Sequence, residues 1–240
     1  MDDAASAGED SAASMAAKEE VLTVGEGVRG SRKLRVIELL LVVGSGYLLS
    51  TVGSVRAWVL GQAEHPDTSW ISVARILDSG LAIALLAYVL YRQGRSLRSL
   101  GLTAKRSDLG WALVVLFLGR LVHTAIVMVF RPALPPEVAM APAGPLEWLS
   151  VVPAAAMEDL TVRAFLITEV AVLTGNAGVA VLASVAFDTA GHLYQGTAAA
   201  LVHAGVFFVY AVYYANQRRI TPVILAHSLH NFLVLASRGG

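Results

Sequence analysis

The stretch from Leu109 to Phe130, LGWALVVLFLGRLVHTAIVMVF, carries only two ionisable side chains, Arg120 and His123. A bilayer core about 30 Å thick takes about 20 residues of α-helix to cross. Lipid offers an open backbone no hydrogen-bond partner, so a run of this kind reads as a membrane helix. Similar runs flank it on both sides. Val36–Leu60 and Ile71–Tyr91 precede it; Leu146–Leu173, Ala177–Leu193, Thr197–Asn216 and Pro222–Ala236 follow. The fold expected is therefore all-α, a polytopic membrane bundle of seven transmembrane helices, or eight if Pro153 divides the long fourth run.

Composition agrees. The 240 residues are 56% hydrophobic and 15% charged, against about a quarter charged in soluble proteins. The formal net charge of zero gives no bulk field for nucleic acid. The chain has no cysteine, which excludes disulfides, a thiol nucleophile and thiolate metal ligands.

Residues 1–30 are rich in Ala, Ser, Gly and acids and lack the basic start and apolar centre of an export signal; they read as a disordered tail. Basic residues gather before the first run (Arg29, Arg32, Lys33, Arg35) and after the second (Arg92, Arg95, Arg98, Lys105, Arg106), while the loop between those runs has none. That alternation places the N-terminus on the cytoplasmic side of a multi-pass cell-membrane protein. Three helices thus occupy residues 31–130. A connector at 131–145 holds Pro132, Pro135, Pro136, Pro142 and Pro145, and the remaining helices occupy 146–240. Thr174-Gly175-Asn176 reads as a helix stop, and Thr221-Pro222 as an N-cap with the first helical residue.

Ionisable groups cost at least about 2.5 kcal/mol each at the bilayer centre, and most such cost lies in the second half. In the fourth run, Asp159 and Arg163 stand four apart and share a helical face. Glu158 and Arg163 stand five apart and diverge on an α-helix, which leaves Glu158 a separate carboxylate; Glu169, eleven residues on, returns to its face. In the fifth run Asp188 lies one turn before His192 and is placed to orient the imidazole. In the seventh, His227 and Asn231 share a face. Taken singly, these patterns read equally well or better as mutual neutralisation, an interfacial histidine and interhelical hydrogen bonding. Three helices that together present a carboxylate, an imidazole, and an imidazole with an amide suit hydrolysis by activated water. A carboxylate and a histidine take the water proton, and a second imidazole and an amide stabilise the oxyanion.

The ordered set EDxxxR (Glu158 to Arg163), a Phe shortly before His192, and HxxxN (His227 to Asn231) resembles the type II CAAX prenyl endopeptidases and their bacterial relatives, the CAAX-protease and bacteriocin-processing (Abi) group. The resemblance covers about Leu146 to Leu235. It implies an intramembrane endopeptidase in which Glu158 and His192 activate water, His227 and Asn231 form the oxyanion site, and Asp159 and Arg163 support them. Two positions depart from the family pattern: Asp159 stands where Glu is usual, and Phe187 lies five rather than four residues before the histidine, with Asp188 in its place.

The implied partners are membrane lipid and a membrane-associated protein or peptide substrate, prenylated or not. Glu158, His192 and His227 are also a ligand set for zinc; the second histidine and the asparagine read more naturally as donors, which favours a cofactor-free scheme. Two other function classes compete: a non-catalytic membrane scaffold or immunity protein of the same family, and a small proton-linked transporter. Against the transporter stands the lack of matching Gly/Pro-broken helices in two halves. Gly44-Ser45-Gly46 reads as a helix-packing motif. Arg75 with Asp78 and Arg120 with His123 read as intrahelical pairs, and His203 and His230 as packing residues.

Overall fold

A computed structural model describes residues 32–61, 69–133 and 143–239, and among them every regular element is helical. The tail expected at 1–30 and most of the Pro-rich connector lie outside the described residues. Helix α1 (Arg32–Val43) passes through a π-helical turn (Gly44–Leu48) into α2 (Leu49–Val59). Then come α3 (Ser69–Arg92) and α4 (Asp108–Phe130). Helix α5 (Pro145–Glu158) continues through a longer π-helical segment (Asp159–Phe165) into α6 (Leu166–Thr174). The chain ends with α7 (Ala177–Gly191), α8 (Thr197–Gln217) and α9 (Thr221–Ala236). Seven apolar runs have become seven helical rods, two of them carrying a π-turn.

The polarity of the bundle runs inside out. Phe117 is 66% exposed and Met128 is 72% exposed, while Asp159, Arg163, Glu169 and Asp188 are each at 0%. Water would reverse that preference; lipid imposes it, and the chain is a membrane protein. By length and apolarity, Ser72–Arg92, Asp108–Phe130 and Thr197–Gln217 qualify as spans among the described residues, and the first rod, bent by 59°, adds a fourth if its two parts are one span. Ala177–Gly191 and Thr221–Ala236 are apolar but shorter. The rod α5–π–α6 is not among these candidate spans: Glu158, Asp159, Arg163 and Glu169 interrupt its apolar run. It is instead sheathed by the others: α3 and α9 pack on α5, and α7 packs on α6.

Helix α4 packs on both α8 and α9. Its approach to α8 depends on missing side chains, because a Cβ on Gly205 would sit 2.3 Å from Ile126 Cδ1 and 2.8 Å from Val122 Cγ1. At one end of the bundle a latch fixes α9 to the loop after α3. Gly101 has φ +79°, and a Cβ there would lie 2.0 Å from the Arg218 carbonyl oxygen. Nearby, Thr221 Oγ1 donates to the Thr103 carbonyl at 2.9 Å, the Thr103 N–H donates to Thr221 Oγ1 at 3.2 Å, and Arg219 pairs with Asp108. Thr221 is thus the first helical residue rather than the N-cap expected from the sequence, which is Ile220; its hydroxyl is spent on Thr103. The stop at Thr174–Asn176 holds: Gly175 adopts φ +68°, and Asn176 accepts from the Val179 N–H to start α7.

Pro153 does not divide the fourth rod; α5 runs straight through it. The change of geometry comes later, at Asp159, and is a change of winding. Three hydroxyls sit on the carbonyls around it. Thr161 Oγ1 donates to Met157 O at 2.7 Å, Ser184 Oγ of α7 to Val162 O at 2.9 Å, and Thr168 Oγ1 to Ala164 O at 2.6 Å. Inside a membrane no water does this job, so the wider turn is affordable only with such partners.

Candidate active site

The site is built on the π-helical segment. All of Asp159 to Phe165 is buried, and at the turn's centre the Arg163 guanidinium gathers three carboxylates. It pairs with Asp159, donates to Glu158 Oε1 at 3.0 Å through the same nitrogen, and reaches Asp188 of α7 at 2.7 Å through the other. The sequence expectation that Glu158 and Arg163 diverge is corrected here. That expectation assumed i→i+4 winding, whereas i→i+5 winding stacks residues five apart, as the Leu166 N–H bond to Thr161 O records. Glu158 is therefore not separate but shares the Arg163 cation.

The same change of winding shifts the phase of all that follows. Glu169 does not return to the Glu158 face. It accepts from Arg95 at 2.6 Å and from Arg35 at 3.4 Å, and Arg95 also reaches Gln93 at 2.9 Å. Gln93 continues to Glu38 at 2.8 Å. That second buried network ties α1, α6 and the loop after α3 together; it is structural and apart from the site.

His227 of α9 faces the carboxylates. Its Nδ1 lies 3.3 Å from Asp159 Oδ2 and 3.9 Å from Glu158 Oε1. A carboxylate accepts only, so Nδ1 carries hydrogen, and Asp159 fixes the ring's orientation. His192, at the end of α7, is oriented by Asp188 in a way the sequence did not suggest. Its Nδ1 donates to the Asp188 backbone carbonyl at 2.9 Å, while the Asp188 carboxylate is committed to Arg163. The expected side-chain contact fails because that carboxylate has a full positive charge within reach. The outcome for the imidazole is the same: hydrogen on Nδ1, and Nε2 left as the lone-pair nitrogen.

Three aromatic residues that sequence reasoning missed complete the surround. The Phe207 ring lies 4.9 Å from the Arg163 guanidinium and 4.9 Å from the His192 ring, so one face of α8 links them. Tyr210 lies 5.5 Å from the same guanidinium and 5.9 Å from the His227 ring. Tyr47, from the π-turn after α1, donates to Glu158 Oε2 at 3.2 Å. No spacing rule marks an aromatic on another helix as a neighbour of these polar groups. Phe187 instead packs on Tyr47 at 5.6 Å. His203 lies tilted against His192 at 4.7 Å and meets Gln195 at 2.9 Å, and His230 meets His123 edge-on at 6.2 Å.

The structure thus joins Glu158, Asp159, Arg163, Asp188 and His227 by direct contacts, and brings in His192 through the Asp188 backbone and Phe207. Asn231 lies one turn beyond His227 on α9, half-buried, with no hydrogen-bond partner among the described residues. As for zinc, Glu158 Oε1 is held by Arg163, Oε2 by Tyr47, and His227 Nδ1 by Asp159. Among the described residues no group of three or more His, Asp or Glu side chains is disposed to hold a metal ion. The three candidate ligands do not converge as a metal set in this arrangement.

Chemically, the arrangement offers a carboxylate restrained on both oxygens, an imidazole with a free lone pair, and a second imidazole backed by a carboxylate. Comparison with curated proteins and with solved structures returns no match. The family model of the type II CAAX prenyl endopeptidase Rce1-like proteins matches residues 144–233, the span that holds every one of these groups except Tyr47. Residues 144–233 are thus similar to the Rce1-like type II CAAX prenyl endopeptidases.

Proposed function

We propose that this protein is an intramembrane endopeptidase that hydrolyses a peptide bond of a membrane-associated protein or peptide, with Glu158 and His192 as the water-activating groups. The observation that carries the reading is the pinned Glu158 carboxylate, one donor on each oxygen, inside an Rce1-like domain. In this reading residues 31–130 are supporting membrane helices, 131–145 a connector and 146–240 the catalytic helices. The N-terminus lies on the cytoplasmic side of the cell membrane.

The water proton passes to the Glu158 carboxylate or to His192 Nε2, whose ring is held in the basic tautomer by the Asp188 carbonyl. The hydroxide attacks the scissile carbonyl carbon. Negative charge builds on the carbonyl oxygen and is met by His227 and Asn231. A His227 ring protonated on both nitrogens keeps Nδ1–H on Asp159 and has Nε2–H to offer the oxyanion. Collapse of the tetrahedral intermediate returns the proton to the departing amine. Arg163 keeps three carboxylates in one place and donates no proton.

The deciding experiment exposes a membrane-derived peptide library to purified wild type and to Glu158→Gln in detergent. The wild type cuts and the isosteric variant, equally folded, does not; cutting at the wild-type rate by Glu158→Gln excludes the scheme.

A second reading follows from the same contacts. Because Arg163 ties Glu158, Asp159 and Asp188 together, the cluster also serves as a rigid core for a non-catalytic scaffold of the same family. In that case Glu158→Gln retains biological function.

A further inference from the structure

Glu158 Oε1 is held by Arg163 from its own rod. That hydrogen bond fixes one oxygen and leaves the carboxylate free to rotate about it. The second oxygen is held from outside the Rce1-like domain. Tyr47, 8% exposed, stands in the π-turn between α1 and α2 and donates its hydroxyl hydrogen to Glu158 Oε2 at 3.2 Å.

Several separate features make room for that phenol. Gly191, the residue before His192, has no side chain where a Cβ would meet Tyr47 Cε1 at 2.7 Å and the Tyr47 hydroxyl oxygen at 3.1 Å. Phe187, one turn earlier on α7, packs on the ring at 5.6 Å. On the other side Gly46 lets the turn close on α5: a Cβ there would lie 3.0 Å from Ala82 Cβ and 3.1 Å from Met157 Sδ. Met157 is the residue before Glu158. Gly46 therefore does pack helices, and what the close approach delivers is a hydroxyl to Glu158. The π-turn re-aims the side chain, as such turns often do beside functional groups.

We infer that Tyr47 is a positioning residue for the Glu158 carboxylate, so that the N-terminal helices contribute a group to the site. The inference rests on the endopeptidase reading. Two donors from different rods, one on each oxygen, leave the carboxylate one orientation, and its remaining lone pairs then face one direction for the water. Losing one donor frees the rotation, and misplacing a reacting group by about 1 Å costs about 10²-fold in rate.

The test uses the full-length protein in detergent micelles and the library peptide that the wild type cuts fastest. Tyr47→Phe, which keeps the ring against Phe187 and Gly191, lowers kcat about 10- to 100-fold, and leaves KM and the unfolding temperature unchanged. Placing 3-fluorotyrosine at position 47, which restores a hydroxyl, restores turnover. Full kcat in Tyr47→Phe beside an inactive Glu158→Gln removes Tyr47 from the site and leaves the endopeptidase reading standing. A fall in kcat that follows a fall in unfolding temperature and is not restored by 3-fluorotyrosine makes Tyr47 a packing residue only and equally overturns the inference. An inactive wild type, or an active Glu158→Gln, overturns both.

Discussion

Arg163 and Glu158, five residues apart on one rod, are joined by a 3.0 Å hydrogen bond that exists because the backbone between them winds as a π-helix. An α-helix would turn them roughly 140° apart. The same winding leaves Arg163 on Asp159 and in reach of Asp188. A local change in pitch thus assembles four charged groups around one point in the interior of the bundle, and the hydroxyls of Thr161, Ser184 and Thr168 sit on the carbonyls around it.

Arg163→Ala removes the only guanidinium in that cluster and leaves three buried carboxylates facing one another. Breaking a buried pair costs about 3–5 kcal/mol, so the variant should unfold at markedly lower temperature in detergent. Adding Asp188→Ala to it should cost less than the sum of the two single changes, since one unpaired carboxylate is then gone. Additive losses by thermal unfolding would mean that the two side chains do not share an interaction.

Asn231→Ala tests the oxyanion role. Asn231 has no hydrogen-bond partner among the described residues, so its loss should leave stability within about 0.5 kcal/mol. If the amide meets charge only in the transition state, kcat drops about 10²-fold or more with KM little changed. Steady-state kinetics on a cleaved peptide separates the two parameters.

Gly101→Ala probes the latch from a distance. The position combines φ +79° with a backbone oxygen 2.0 Å from the new Cβ, so the loop or the α8–α9 turn has to move. Arg218, itself at φ +52°, sits opposite, and α9 carries His227. The substitution should lower the unfolding temperature and reduce cleavage together. Unchanged values of both would show that the latch does not locate α9.

Chelation addresses the metal question. The expected outcome is cleavage unaffected by exhaustive treatment with a strong zinc chelator, because Glu158 and His227 are engaged by Arg163, Tyr47 and Asp159. Loss of activity that added zinc restores would replace the carboxylate scheme with a metal-dependent one.

The sequence by itself determined the helices and their number of rods, because apolar length and the cost of an unbonded backbone in lipid act residue by residue. It also marked Glu158, His192, His227 and Asn231 as candidates, since ionisable and amide groups in apolar helices stand out one at a time. It paired Arg163 with Asp159 correctly, a contact four residues long. Tertiary structure alone decided the rest. The extra width of the π-turn, which joined Arg163 to Glu158 and carried Glu169 away to Arg35 and Arg95, depends on hydroxyls from other turns and from α7 and leaves no periodic trace in the chain. Tyr47 reached Glu158, and Asp188 turned from His192 to Arg163, because charge and hydrogen-bonding demand in a dry interior is met by whichever partner is nearest in space, and spacing along one helix does not record what a neighbouring helix brings.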